Sequence, residues 1–370
     1  MCLCFPPEAE EGYPDQWQHL NARDVGVRIW RILKHRAVHW PRELYGHFFT
    51  EDVFVILHTT APKGVPMWNI YVWTGQAASE ADYGAGLYKA GELDERMGHE
   101  AVVHREVEGH ESSLFKNYFK PITYWKQSSR ESFWSVQHTP MASYTARLLR
   151  FYRPDAAFDR YVAKEVEPDH RILDPSYIFF LDLGRSIIQR NGALVTKRDI
   201  LQGIRYVQDL KADRASKPSV EVLTESDGHD GSHQFYTYLT RRSTMMANDV
   251  DYHVTENTLN DANDVTDSEP KLIRVTTEDG RNHFAEEKSG RVTLAHFEQH
   301  MTCIYDNARE CFVWVSERAA VEEKRLGLEY AHEYLKSKAR PWLPVTVMRQ
   351  NQPNEAFQRA LADNNMYFSY

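Results

Sequence analysis

The sequence lacks any apolar run that approaches the roughly 18 residues of a membrane-spanning helix, so a transmembrane protein is not expected. It also lacks an excess of basic residues, because 44 Lys and Arg face 53 Asp and Glu, for a formal net charge of −9. A nucleic-acid binder needs a positive surface to neutralise phosphates, so this balance argues against that class. Apolar side chains make up 42% of the 370 residues, which is enough for real hydrophobic cores. At about 150 residues per domain, the length indicates two or three domains.

Cysteine is scarce as well. Cys2 and Cys4 lie at the N-terminus, Cys303 and Cys311 lie in a later apolar segment, and neither pair has zinc-ligand spacing with a second pair. Four cysteines make no disulfide framework in a chain of this size, which favours a reducing, cytoplasmic location. The first residues also lack the basic flank and apolar segment of a secretion signal. The Met-Cys-x-Cys start could be acylated and tether the chain to a membrane, and the alternative is an untethered, exposed tail.

Catalytic signatures are missing too. The sequence has no Gly-x-Ser-x-Gly, no P-loop, no His-Glu-x-x-His and no paired Cys-x-x-Cys. His229 and His233 are four residues apart, but they lie in a stretch rich in Gly, Asp and Ser that is typical of a solvated loop. An enzyme is therefore not expected.

One local pattern occurs three times along the chain. A short run of β-branched and aromatic residues is followed by a second such run and then by the polar start of a helix. The equivalent positions Trp73, Arg190 and Trp314 are separated by 117 and 124 residues, close to a third of the chain. Three similar units therefore fill the sequence, which indicates domain duplication rather than a solenoid of short repeats.

Each unit is predicted to be a sheet with helices, so the predicted fold class is α+β, three times over. Apolar β-branched runs bounded by turn residues are typical of buried central strands. Apolar residues recur at helical spacing within 79–97 in unit one and within 321–334 in unit three. A second, shorter helix is predicted over 111–119 and again over 354–361.

Composition shifts mark the expected boundaries. We expect an N-terminal tail over 1–20, repeats over 21–126, 144–225 and 271–370, and linkers over 127–143 and 226–270. Within the second linker, residues 248–269 contain seven acidic residues and no Lys or Arg. That stretch is predicted to be solvated and mobile.

Three motifs in unit one are specific enough for comparison with a known family. They are Val27-Arg-Ile-Trp-Arg31, Leu44-Tyr-Gly-His-Phe-Phe-Thr50 followed by Asp52, and His104-Arg-Glu-Val-Glu-Gly-His-Glu-Ser112. They resemble the opening strand, the Leu-Tyr-Gly-x-Phe-Phe-x-Gly-Asp motif and the His-Arg-Glu motif of the gelsolin, villin, severin and fragmin family. Units two and three match through shorter segments, Phe180-Leu-Asp-Leu-Gly184 and Phe312-Val-Trp314. The resemblance implies three gelsolin-like domains in a severin-like layout, each with a five- or six-stranded mixed sheet between one long and one short helix.

The resemblance also implies a calcium site in unit one. Its ligands would be the backbone carbonyl of Glu51 and the side chains of Asp52 and Asp82, where the family usually has Glu at the last position. Oxygen donors of this kind suit calcium. The alternative for Asp82 is that it only favours the positive end of a helix dipole. The corresponding positions in the other units are Tyr177 and Met301, so a single calcium site is expected.

A further implication of the resemblance is actin binding, to monomer or filament, through the long helix of unit one. Its apolar face would comprise Leu87, Tyr88 and Ala90, and Asp94 matches the position that shares a second calcium with actin. Gly86 and Gly91, two of the three glycines in this helix, each weaken it by about 1 kcal/mol relative to Ala. The alternative is therefore a packed core helix with little exposed apolar surface.

A basic strand completes the implied binding surfaces. Arg147, Arg150 and Arg153 resemble the strand that serves filament-side and phosphoinositide binding in the family, with an ordinary half-buried strand as the alternative. The expected function is that of a calcium-responsive protein of the cytoplasm and cytoskeleton that severs or caps actin filaments. One alternative is a structural or interaction protein, contacting other cytoskeletal proteins, that has lost severing and most calcium regulation. A second alternative is a membrane-tethered adaptor, with membrane contact only through acylated Cys2 and Cys4 or bound phosphoinositides.

Overall fold

The structure is a computed structural model that describes most of the chain. The described residues are 17, 19–126, 144–154, 160–212, 217–223, 233–247, 269–297, 301–338, 340–352 and 354–367. Three expectations fall outside these residues: the acylation of Cys2 and Cys4, the linker over 127–143, and the mobility of 248–269, of which only the last residue is described. Within the described ranges, no helix is both long enough and apolar enough to cross a membrane.

The described residues form seventeen strands and eight α-helices. The strands are β1 (Gly26–Leu33), β2 (Arg36–His39), β3 (His47–Phe49), β4 (Val53–Thr60), β5 (Met67–Thr74), β6 (Val102–Val107), β7 (Ile122–Trp125), β8 (Arg147–Tyr152), β9 (Val162–Val166), β10 (Ile178–Asp182), β11 (Ser186–Asn191), β12 (Ser219–Leu223), β13 (Lys271–Glu278), β14 (Arg281–Ser289), β15 (Thr302–Asp306), β16 (Cys311–Val315) and β17 (Val345–Arg349). The helices are α1 (Glu80–Arg96), α2 (Ser113–Lys116), α3 (Lys197–Ala212), α4 (Gln234–Ala247), α5 (Leu294–Phe297), α6 (Val321–Arg325), α7 (Gly327–Ser337) and α8 (Glu355–Tyr367).

The strands pair into two mixed sheets. The larger has ten strands in the order β14-β13-β15-β16-β17-β6-β5-β4-β1-β2, and the smaller has seven in the order β12-β11-β10-β8-β9-β7-β3. The chain divides into two compact units. The first comprises Met1–Pro41, Asp52–Tyr118 and Ala262–Tyr370, and the second comprises Arg42–Glu51 and Phe119–Asp261. The predicted α+β fold, with long helices on mixed sheets, is confirmed.

Repeat one contributes five adjacent strands of the ten-stranded sheet and lays α1 on it. The central strand β4 is buried along most of its length and β5 is buried over Ile70–Trp73, as expected for strands covered on both faces. Ser79 caps the N-terminus of helix α1, and its side-chain oxygen accepts a hydrogen bond from the Asp82 amide. It ends just before Gly98, whose φ of +67° suits the residue that follows a helix.

A glycine lets each long helix approach its sheet closely. A Cβ built at Gly86 or Gly327 would lie 2.6 Å from a valine methyl, and one at Gly203 would lie 3.1 Å from an isoleucine methyl. These glycines are 117 and 124 residues apart, the same separations as in the repeated sequence pattern. Gly86 is therefore a packing position of the repeat, and not only a weak point in the helix as the sequence analysis interpreted it.

Part of the predicted N-terminal tail belongs to the core of repeat one. Trp17 is 3% exposed, and its ring packs edge-on against Trp30 at a centroid distance of 5.0 Å. Its indole Nε1 donates a hydrogen bond to the Glu92 carboxylate of α1 at 2.9 Å. Trp17 thus links the segment before β1 to the helix.

The second unit is built mainly from repeat two. Helix α3 buries Tyr206, Val207 and Leu210. Strands β3 and β7, whose residues lie within the predicted range of repeat one, extend the same sheet.

The sheets of repeats one and three are joined directly within the first unit. Strand β6 pairs antiparallel with β17, and the three residue pairs are centred on His104 opposite Thr346. We call this pairing, with the side chains that cross it, the seam. The sequence analysis predicted one sheet per repeat and did not predict the seam, because the pattern of an edge strand does not name its partner.

Candidate functional site

The predicted actin-facing side chains of α1 lie where that helix faces repeat three. Leu87 and Tyr88 are half-buried, and Leu87 packs against the cores of both repeats. Ala90 and Asp94 are buried, with exposed fractions of 1% and 3%. All four line a cavity of about 500 Å³ between α1 and helices α6 and α7. The predicted surface is thus partly covered by repeat three of the same chain.

Asp94 is paired with a cation from repeat three. The Nζ atom of Lys324 in α6 lies 2.9 and 3.1 Å from the two carboxylate oxygens of Asp94, 2.7 Å from the His99 carbonyl oxygen and 2.6 Å from that of Ala101. We call these four oxygens the Asp94 cage. The Lys324 and Asp94 side chains are only 1% and 5% exposed. Burial lowers the pKa of Lys324, and the Asp94 carboxylate opposes that shift.

A second cation crosses the seam in the opposite direction. Arg105 of β6 is 2% exposed and donates through Nη2 to the carbonyl oxygens of Pro341 and Leu343, at 2.5 and 2.6 Å. Beside it, His104 Nδ1 lies 3.0 Å from the Thr346 hydroxyl, and burial lowers the pKa of His104 to about 3. The histidine is therefore neutral at physiological pH. One lysine, one arginine and a short backbone ladder together fasten the seam.

Asp52, a predicted calcium ligand, is held by Arg31 of β1. Arg31 Nη2 donates to Asp52 Oδ1 at 2.8 Å, and Arg31 Nε lies 2.8 Å from Oδ2, with both side chains less than a tenth exposed. Asp82 sits in the first turn of α1, where its carboxylate accepts a hydrogen bond from the Ser79 hydroxyl at 2.6 Å. As arranged, Asp52 is the partner of Arg31 and not a free ligand. The calcium site of Glu51, Asp52 and Asp82 stays a prediction.

The equivalent carboxylates of the other repeats have internal partners. In repeat two, Asp199 accepts a hydrogen bond from the Tyr161 hydroxyl at 2.8 Å. In repeat three, Glu323 accepts one from the Thr302 hydroxyl at 2.9 Å. Across the described part of the chain, no group of three or more His, Cys, Asp or Glu side chains is placed to hold a metal.

The predicted basic strand is also engaged within its own unit. Arg147 and Arg153 each face a carboxylate, and the Arg150 guanidinium lies over a tyrosine ring. The partners are Glu165 at 3.9 Å, Asp199 at 3.5 Å and Tyr177 at 5.1 Å from the ring centroid. A phosphoinositide or filament would have to compete with these contacts, and the basic site stays a prediction.

Comparison with known proteins agrees with the motifs and the fold. Residues 41–116 match the family described as Gelsolin repeat. Gelsolin-like protein 2 of Lumbricus terrestris is 33% identical over 94% of this chain and 89% of its own length. Gelsolin-like protein 1 of the same organism is 32% identical over 94% of this chain and 89% of its own length. Severin of Echinococcus granulosus is 28% identical over 91% of this chain and 87% of its own length.

These relatives and the described sheets define a protein assembled from gelsolin repeats. The chain belongs to the gelsolin family, which confirms the predicted resemblance and is consistent with a three-repeat layout. Members of this family are not enzymes, so the prediction that this chain is not an enzyme is confirmed.

The sequence analysis missed the two cations that neutralise the predicted site residues. Arg31 had a detectable signal, because the sequence places it between the apolar residues Trp30 and Ile32, and a charge within a buried strand needs a partner. Lys324 had none. A lysine in the first turns of an amphipathic helix is normally solvated, and its partner Asp94 is 230 residues away in the sequence.

Proposed function

We propose that this protein binds actin through α1 of repeat one and severs or caps filaments, and that the described conformation is a closed one. The observation that carries the proposal is the Asp94 cage, at the C-terminal end of the helix that bears Leu87 and Tyr88. An apolar helix face suits a partner that offers an apolar cleft, and the cage oxygens suit a cation, which a carboxylate of the partner could share. The relatives named severin and gelsolin-like protein support this reading.

Repeat three packs against α1 loosely enough for a binding partner to take its place. Leu87 and Tyr88 are half-buried and border a cavity of about 500 Å³, so this interface is not packed like a core. The seam then holds repeat three in place mainly through Lys324, Arg105 and three strand pairs. Binding of actin to α1 requires repeat three to move aside.

The donor set of the Asp94 cage fits a calcium ion, since calcium prefers carboxylate and carbonyl oxygens. In the closed conformation the Lys324 ammonium takes this position. Withdrawal of Lys324 leaves Asp94 and the carbonyls of His99 and Ala101 without a cation, and calcium would supply the positive charge there. This exchange accounts for a calcium response.

A calcium site at Glu51, Asp52 and Asp82 is a separate proposal, and it requires Asp52 to share its carboxylate with Arg31. Calorimetry on the chain free of actin is expected to detect at most one such site, abolished by Asp52→Ala. Two or more sites that survive this change would refute it. A cytoplasmic, cytoskeletal location also remains part of the proposal.

Actin co-sedimentation, with calcium and with a chelator, tests the proposal. Tyr88→Asp places a charge in the contact, and we expect actin affinity to fall by about 2 kcal/mol, or roughly 30-fold. Leu294→Asp is the matched control, because Leu294 lies on α5 of repeat three and is already 51% exposed. Leu87 is less suitable for this change, because it packs against two cores and a charge there would also destabilise the fold.

Filament-length microscopy then separates severing from capping. If the folded wild type binds no actin with or without calcium, the proposal fails. The better account would then be a structural or interaction protein that keeps the gelsolin fold. An equal loss of binding in Tyr88→Asp and Leu294→Asp would likewise remove α1 as the contact.

A further inference from the structure

The ten-stranded sheet ends in a long edge strand. Its last strand, β14 (Arg281–Ser289), has nine residues and is the longest of the described strands. The strands at the other described sheet edges, β2, β12 and β3, have only four, five and three residues. Short edge strands are a common protection against pairing with another chain, and β14 lacks this protection. The proposed actin contact uses no residue of β14.

Every second residue of β14 presents its backbone to the outside of the sheet. Two residues with positive φ join β13 to β14, and the flanking Glu278 and Arg281 lie directly opposite each other. In such a hairpin the flanking pair exchanges both of its backbone hydrogen bonds, and so does every second pair after it. The N–H and C=O groups of the intervening residues, Asn282, Phe284 and Glu286, therefore point outward. In the described ranges β14 pairs only with β13, so these groups have no strand partner.

We propose that two copies of this chain form a dimer by antiparallel pairing of their β14 strands, about a two-fold axis at Phe284. The outward groups of Asn282 then bond to those of the partner's Glu286, and the outward groups of Phe284 bond to those of the partner's Phe284. By symmetry, Glu286 bonds to the partner's Asn282, which completes three bonded pairs. A register shifted by two residues keeps only two of these pairs.

Opposite charges meet in this register. Arg281, three residues before Phe284, lies opposite the partner's Glu287, three residues after it. Arg274 lies opposite Ala285 and donates to Glu287 at 2.7 Å, so Glu287 is on the face of Ala285. Arg281 is four residues before Ala285 and shares that face. Charged side chains normally deter pairing at an edge strand because like charges would meet, but here each arginine meets a glutamate.

Phe284 supplies an apolar centre for the strand pair. Its side chain is half-buried and packs against Tyr334 of α7, at a ring-centroid distance of 5.9 Å. The exposed remainder would lie opposite the partner's Phe284, and aromatic pairs directly across an antiparallel ladder are favourable. Because the complementary residues lie on one strand, a second copy fits this edge better than an unrelated chain.

The interface is small, so the dimer is expected to be weak. A single strand pair lies at the low end of interface sizes, below about 1,200 Å². The dimer is therefore expected at about 100 μM chain and not at about 1 μM. It would carry two copies of α1. This consequence for actin binding rests on the proposed function, whereas dimerisation itself does not.

Analytical ultracentrifugation of the full chain, without actin, tests the dimer. Arg281→Glu and Glu287→Arg each place like charges opposite each other at both ends of the strand pair, and each should raise the dissociation constant about tenfold or more. An equimolar mixture of the two variants should restore dimerisation, because each position again faces an opposite charge. Lys63→Glu makes the same charge change as Arg281→Glu at an exposed lysine between β4 and β5, and it should leave dimerisation unchanged.

Hydrogen exchange supplies an independent readout of the register. Raising the wild-type concentration should slow exchange of the outward amides, those of Asn282, Phe284 and Glu286. Exchange of the inward amides of His283 and Ala285 should not change, because these amides already face β13.

A wild type that stays monomeric at about 500 μM would overturn the proposal. A mixture of the two variants that associates no more tightly than either variant alone would also overturn it, and so would new protection in β2 in place of β14. The wild-type measurements are decisive even if a variant does not fold. Since no actin is present, a negative result leaves the proposed function standing, and a failure to bind actin leaves the dimer standing.

Discussion

Replacing Lys324 with glutamine tests whether the Asp94 cage holds repeats one and three together. Lys324→Gln removes the cation that contacts all four oxygens of the cage. Asp94 then stays buried, with the Ala101 amide at 3.1 Å and His99 Nδ1 at 3.4 Å as remaining neighbours. The carboxylate has lost its main compensating charge.

The expected cost follows from the burial of the pair. Removing one partner of a buried ion pair typically costs about 3–5 kcal/mol, because the other charge is left uncompensated. Two features favour the lower end of that range: the remaining donors to Asp94, and the penalty of burying the ammonium, which lowers the pKa of Lys324. A loss of about 3 kcal/mol corresponds to roughly a 150-fold change in an equilibrium constant.

Urea unfolding and hydrogen exchange measure this effect. We expect Lys324→Gln to lower the unfolding midpoint and to speed exchange in β6 and β17. Lys336→Gln is the matched control, because Lys336 is exposed near the end of α7. Asp94→Asn and the double variant complete a double-mutant cycle. The effects of the two changes on the free energy of unfolding should be strongly non-additive.

The reasoning would be refuted by a Lys324→Gln variant that unfolds at the same urea concentration as Lys336→Gln and shows unchanged exchange in β17. Additive effects of the Lys324 and Asp94 changes would also contradict it. Either result would assign the closure of the seam to the backbone ladder and Arg105 instead.

Three further predictions concern other parts of the first unit. Arg105→Gln should lower the free energy of unfolding by about 2 kcal/mol in urea titrations, because the shorter amide leaves the buried carbonyl oxygen of Leu343 and the partly buried one of Pro341 without this donor; an unchanged midpoint would contradict this. Burial raises the pKa of Glu106 to about 8, above its unfolded value of 4.5. The stability that Glu106 contributes is therefore fully present below about pH 4.5 and is lost as the pH rises toward 8, by about 1 kcal/mol per pH unit. Glu106→Gln should reduce this loss of stability between pH 5 and pH 8, measured as the difference between the two urea midpoints. A difference that persists in Glu106→Gln would mean that another group causes the pH dependence. Trp17→Ala should cost about 3–5 kcal/mol in thermal or urea unfolding, whereas the control Trp342→Ala, at a 41% exposed tryptophan, should cost far less; equal costs would remove Trp17 from the core.

The sequence by itself determined the repeats and the kind of fold. Strand and helix periodicities depend on which faces are buried, and burial leaves its pattern within a few neighbouring residues. Trp73, Arg190 and Trp314 are separated by 117 and 124 residues. The glycines at which the long helices contact the sheets, Gly86, Gly203 and Gly327, have the same separations. The family motifs of unit one could also be found in the sequence, because each is a contiguous segment.

Only the tertiary structure decided which elements meet and which charges pair. The pairing of β6 with β17 joins strands from different repeats, and neither strand specifies its partner in its own pattern. The partners of Asp52 and Asp94 are Arg31 and Lys324, and the second lies 230 residues away. A charged residue within an apolar run of the sequence implies a counter-charge. Which residue supplies that counter-charge depends on how distant elements pack together. The closed seam therefore became visible only when the strands and helices of repeats one and three were placed together.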